Sequence, residues 1–112
     1  MLNSFIRPRR ALTHYAEAVR RGHITVGFVG GSITEPATGE RWSDKLVDWL
    51  VYTHPELTVD VENAAKGATG SLSAVFRVDE DILRYDCDIV FIETVVNDPP
   101  SAFGPCHEGL LR

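Results

Sequence analysis

Basic side chains are in the minority in this chain, and that deficit removes one large class of partners. Eleven Lys and Arg stand against sixteen Asp and Glu in 112 residues, a formal net charge of −5. A nucleic-acid backbone is therefore repelled on average, and no basic stripe with interleaved aromatics offsets the repulsion. The one basic knot, Arg7, Arg9 and Arg10, lies near the start and reads as a solvated segment. No apolar run reaches the length of a membrane span, and the first residues lack the continuous hydrophobic stretch of a secretory signal. The expectation is a soluble, cytoplasmic protein. Cysteine is scarce: Cys87 and Cys106 permit at most one disulfide and supply no C-x-x-C spacing. Cys87, at the mouth of an apolar run, reads as a small buried hydrophobe. His14, His23, His54 and His107 are scattered, without H-E-x-x-H or a carboxylate cluster beside them, and read as surface residues. No metal and no cofactor is expected. Internal repeats and low-complexity tracts are absent as well.

What is present is 44% hydrophobic residues, enough for one core at this length and not for two. A single domain over residues 1–112 is expected, with an N-terminal helical segment at 1–22 and an α/β core at 23–112. Helix and strand alternate with short punctuated links, the pattern of parallel βαβ construction. Ala11 to Arg21 is rich in helix formers and stops before Gly22. Ile24 to Val29 is a nearly continuous apolar strand, buried on both faces. Glu40 to Thr53 places Trp42, Leu46, Trp49 and Leu50 at helical spacing, and His54-Pro55 ends it. Leu57 to Glu62 alternates as a second strand. Leu72 to Tyr85 carries Leu72, Val75, Phe76, Ile82 and Leu83 at helical spacing with Asp79 exposed, and Asp88 to Val96 is the third strand. After Pro99-Pro100 the pattern becomes a loop, and Glu108 to Arg112 reads as the first turn of another helix. The tryptophans fit a helix packed on a sheet.

The chemistry-bearing residues fall at the ends of these strands, where open parallel sheets form their ligand crevice. Ser32 follows the first strand in Gly30-Gly31-Ser32-Ile33-Thr34, a turn with no Cβ to obstruct an approaching group. A glycine-rich stretch, Asn63 to Gly70, follows the second strand, and Asn97-Asp98 follows the third. Hydroxyl, free backbone N–H groups and carboxamide together make a nucleophile with the donors a tetrahedral oxyanion needs. Each group alone has a plainer reading: Ser32 or Thr34 as a helix N-cap, Gly67 and Gly70 as a turn, Asn97 as an Asx turn before the prolines. A different class of function, a non-catalytic module receiving a phosphate or other ligand on the Gly67 to Gly70 loop, also remains open. The Walker pattern and the G-x-G-x-x-G fingerprint are both missing, however.

Three ordered blocks resemble the SGNH hydrolases. Gly30-Gly31-Ser32-Ile33-Thr34 is similar to the GGSIT form of their GDSL block, Asn63 through Gly67 to Gly70 to their second block, and Val96-Asn97-Asp98 to their third. The resemblance runs from about Ile24 to Asp98. It implies a flavodoxin-like three-layer α/β/α sandwich with a parallel sheet, and serine-dependent hydrolysis of carboxylic esters, with acyl groups on carbohydrates or lipids as substrates. It also implies Ser32 as nucleophile and as one backbone oxyanion donor, with the Gly67 N–H and the Asn97 side-chain amide as the others. An acyltransferase on the same fold is the variant in which an alcohol replaces water. Oligomeric state is not legible.

One block is missing. The family carries an aspartate three residues before a histidine, and this sequence holds no D-x-x-H. His107 lies soon after the third block and does not match that position. The resemblance therefore implies the N-terminal portion of a hydrolase, with three strands of a 2-1-3-4-5 sheet and little activity in these 112 residues alone.

Overall fold

The computed structural model describes residues 8–36 and 39–98. Along them run α1 (Thr13–Arg21), β1 (His23–Gly30), α2 (Trp42–Thr53), β2 (Thr58–Asn63), α3 (Ser71–Asp81), a 3-10 turn at Leu83–Tyr85 and β3 (Ile89–Glu93). The strands are parallel in the order β2-β1-β3, so the fold is the α/β class with the 2-1-3 start that the family resemblance implied. His23 pairs with Thr58 and Phe28 with Asn63, while Val26 pairs with Ile89 and Gly30 with Glu93. This register brings the carboxyl ends of all three strands to one rim. The readings placed on Arg7, Cys106, His107, Pro99-Pro100 and the turn at Glu108 to Arg112 lie outside the described residues.

Local chemistry accounts for the element ends. Helix α1 stops at Gly22, which adopts φ +85°, a left-handed conformation that costs glycine little; its N–H donates to the carbonyls of Ala18 and Val19. The Gly22 carbonyl then accepts from the Thr58 N–H at 3.0 Å, starting the β1–β2 ladder one residue later. Helix α2 starts where the Asp44 carboxylate accepts the Arg41 N–H, and it ends at His54 before Pro55.

Strand alternation gives the sheet two faces. Ile24, Val26 and Phe28 point to one, where they form the core with Ala18 of α1, Leu50 of α2 and Leu57. Phe28 stacks on Phe91 at a 5.6 Å centroid distance and meets Trp42 edge-on at 5.5 Å. Full burial of a side chain such as Phe28 or Ile24 contributes about 1.5–3 kcal/mol. On the opposite face, Gly27 leaves space that Cys87, Val90 and Ile82 fill, and Val29 faces α3 across an apolar groove of about 230 Å³. Helices thus cover both faces, which is the three-layer arrangement.

Three details depart from the sequence reading. Trp49 is 52% exposed and Phe76 is 88% exposed. In α2 the buried stripe runs through Ser43, Leu46, Val47 and Leu50, so both tryptophans fall on its margin. Trp42 is retained there by the aromatic contacts, whereas Trp49 has none among the described residues. In α3 the inward face is Ser71, Ala74, Val75 and Val78, continued by Ile82; Leu72 and Phe76 lie on the other side. Finally, β3 ends at Glu93 and not at Val96, because the chain turns at once and the N–H groups of Asn97 and Asp98 both donate to the Thr94 carbonyl at 3.0 Å.

Candidate active site

The rim is built from three turns, each entered directly from a strand. After β1, the N–H groups of Thr34 and Glu35 both donate to the Gly31 carbonyl at 3.1 Å, closing a single turn around Ser32. Ser32 is exposed at its crest, and its side chain has no hydrogen-bond partner among the described residues. It caps no helix, since α2 begins only at Trp42. Thr34 does not cap one either. It is fully buried, its hydroxyl accepts the Trp42 indole N–H at 3.0 Å, and its carbonyl accepts from Ser43 Oγ at 2.9 Å and Asn63 Nδ2 at 2.8 Å. One residue thereby ties the Ser32 turn to α2 and to the end of β2.

The second turn is fixed to the first. The Lys66 N–H donates to the Gly30 carbonyl at 3.0 Å, and the Ala65 N–H to Asn63 Oδ1 at 3.0 Å. Gly67 presents its N–H on the exposed side of this loop, where the Glu35 carboxylate accepts it at 2.6 Å. The third turn brings Asn97 against the first. Asn97 Nδ2 donates to the Thr69 carbonyl at 3.1 Å, and a Cβ built on Gly31 would collide with that same nitrogen. Glycine at 31 is what allows the carboxamide to lie beside the residue preceding Ser32. Gly30 is constrained in the same way by the Glu93 carbonyl, and Gly70 by the Asp98 carboxylate.

The structure therefore gathers the Ser32 turn, the Gly67 loop and Asn97 at one rim. One carboxamide hydrogen of Asn97 is committed to Thr69; the other has no acceptor among the described residues. The Gly67 N–H is engaged by Glu35, a carboxylate that the sequence reading passed over although it stands three positions after Ser32. Asp98 has a comparable part: its carboxylate accepts the Ser71 N–H at 2.9 Å, at the first residue of α3. A phosphate arriving at this loop would thus meet two backbone donors already paired with carboxylates, which weighs against the phosphate-binding alternative.

The other candidate groups lie elsewhere. Cys87 packs beneath α3, and burial, together with the nearby charges of Glu62 and Asp88, pushes its thiol up from the ordinary value, which is the opposite of an activated nucleophile. His23 begins β1 and is bonded to Asp60 at 2.6 Å, and His54 closes α2 just before β2; both are at the end of the sheet remote from Ser32. Among the described residues no helix is long and apolar enough to cross a membrane.

The parallel α/β sheet thus carries a serine turn, a glycine loop and a carboxamide together on the rim beyond its strand ends. The solved structures most relevant here are esterases. A two-domain esterase (CEX) active on acetylated mannans, co-crystallised with mannopentaose, is similar over 90% of this chain with 29% identity and a TM-score of 0.75. A second structure of such a CEX esterase gives 25% identity and 0.72 over 87% of the chain. The W215I form of Axe2, an acetyl xylan esterase from Geobacillus stearothermophilus, shares the fold at 20% identity and 0.62 over 79%. The chain spans 29% of the CEX structures and 53% of Axe2. No family model and no curated protein matches it. The likeness is thus to esterases, the class of enzyme that the three-block resemblance implied.

Proposed function

We propose that the protein carrying this stretch hydrolyses carboxylic esters with Ser32 as nucleophile, and that its substrates are small acyl groups, acetyl foremost, on carbohydrates. Ser32 Oγ attacks the ester carbonyl carbon, the Ser32 N–H and Asn97 Nδ2 receive the developing oxyanion, and the alcohol leaves. Water then cleaves the acyl-serine and releases the acid. The Ser32 proton needs an acceptor. With no D-x-x-H in the sequence, that base is assigned to sequence beyond these residues, as is the outer part of the substrate cleft.

The observation that carries this reading is the approach of Asn97 to Gly31. A carboxamide packed where only a glycine fits, one residue before an exposed serine whose hydroxyl has no partner among the described residues, is hard to account for as a turn alone. The acetyl and carbohydrate parts rest on the similarity to esterases of acetylated mannan.

The test uses the full-length gene product, assayed on p-nitrophenyl acetate and on acetylated mannan. Ser32→Ala is expected to lower kcat by a factor on the order of 10⁴–10⁶, with the fold intact by circular dichroism. The isolated 112-residue chain is expected to turn over near background. Unchanged hydrolysis by Ser32→Ala would discard the serine mechanism, and robust Ser32-dependent turnover by the short chain would place the base within it.

A further inference from the structure

The Glu35–Gly67 contact sets a constraint on the site that neither residue implies separately. Glu35 is half-buried, its backbone N–H is bonded into the Ser32 turn, and its carboxylate accepts the Gly67 N–H at 2.6 Å. A Cβ on Gly67 would lie 3.3 Å from the same carboxylate oxygen, so the glycine leaves that approach open. A backbone N–H has one hydrogen. While Glu35 holds it, the donor is withheld from any ester carbonyl.

We propose that Glu35 is a latch, a positioning residue whose carboxylate occupies the Gly67 donor in the resting protein and must be displaced before that donor reaches substrate. This deepens the esterase reading and rests on it. A neutral ester carbonyl is a weaker acceptor than a carboxylate and does not compete for the N–H in the ground state. A developing oxyanion carries charge and competes far better, so the donor transfers to substrate only as the tetrahedral species forms. Breaking the Glu35 contact is then part of the barrier. The same carboxylate disfavours anionic acyl groups at the loop by repulsion, so the latch selects neutral acyl esters over dicarboxylate half-esters.

Two measurements test the latch. In the first, the ¹⁵N-labelled 112-residue chain is compared with its Glu35→Gln form by NMR. The Gly67 amide proton is expected to move upfield when the charged acceptor is replaced by a neutral one of the same size; an unmoved Gly67 resonance overturns the contact. In the second, Glu35→Gln is made in the full-length protein, where kcat on a neutral acetyl ester is expected to rise several-fold with little change in KM. The preference for acetyl over a succinyl half-ester is expected to shrink. A fall in kcat accompanied by the expected NMR shift would overturn the latch and make Glu35 a support of the loop. Loss of Ser32 dependence in the parallel Ser32→Ala assay would instead remove the esterase reading, leaving the NMR result to stand on its own.

Discussion

Asn97 has one observed partner, the Thr69 carbonyl, and the proposed mechanism gives it a second, the oxyanion; the energies of the two separate the roles. Its bond to the Thr69 carbonyl holds the 66–70 loop, and a typical neutral hydrogen bond contributes about 1 kcal/mol. A donor aimed at a transition state contributes little to the resting fold but about 2.7–4 kcal/mol to the barrier. Asn97→Ala should therefore lower the melting temperature of the 112-residue chain by about 4–8 °C. In the full-length protein it should lower kcat by a factor of about 10²–10³. Thermal denaturation and steady-state kinetics on the same substitution decide the matter: a lowered melting temperature with unchanged kcat in the full-length protein would leave Asn97 as a loop tie only. Gly31 is the permissive residue in this arrangement. Its value was visible in the sequence only as freedom in a turn, whereas its structural reason is the volume of a carboxamide nitrogen that arrives from the end of the third strand.

At the scale of elements, the strands and the parallel order were legible because an apolar run bounded by glycine and a helical link has few other solutions. What was not legible is which of two apolar stripes a short helix buries. Leu72 and Phe76 of α3 compete with Ala74, Val75 and Val78, and only the position of β1 and β3 decides for the second set. The tie at the far end of the sheet was equally invisible, since it joins side chains distant in sequence. Asp88, just before β3, accepts the Thr25 N–H at 2.8 Å and pairs with Arg21 at 3.1 Å. Desolvation pushes its carboxyl up, but the Thr25 N–H and the Arg21 guanidinium together outweigh that and hold it below the ordinary value. A carboxyl depressed in the folded state adds stability that is present above its unfolded value, about 3.9, and is lost as pH falls through the folded one. Asp88→Asn should therefore destabilise the chain by about 1–3 kcal/mol at pH 7 and by less at pH 3. Urea titrations at the two pH values check this, and an equal loss at both would assign the effect to packing.

At the scale of the whole molecule, the two faces of the sheet are unequally covered. Among the described residues, the face bearing Ile24, Val26 and Phe28 lies under α1 and α2, whereas the other lies under α3 alone, with Ile92 57% exposed and Leu83 similarly open beside it. β1 is paired on both sides, so β2 and β3 are the edges of the described sheet. The two edges differ in chemistry. β2 presents Asp60 and Glu62 along its length, charges that discourage pairing, while β3 reads Ile-Val-Phe-Ile-Glu and offers an apolar ladder. A short β-branched and aromatic edge with one terminal charge is the kind that pairs with another copy when nothing covers it. The 112-residue chain alone is thus expected to self-associate through β3, its weight-average mass in sedimentation equilibrium rising with concentration. Ile92→Lys places a charge on the open groove next to that edge and should return the chain to monomer, with little loss of stability because the side chain is already half in solvent. Association that survives Ile92→Lys and responds instead to Tyr52→Lys would move the contact to the exposed side of α2, since Tyr52 is 86% exposed there. In the full-length protein, further chain is expected to cover the β3 groove, so Ile92→Lys should there cost stability: the same substitution that improves the behaviour of the short chain should lower the melting temperature of the long one.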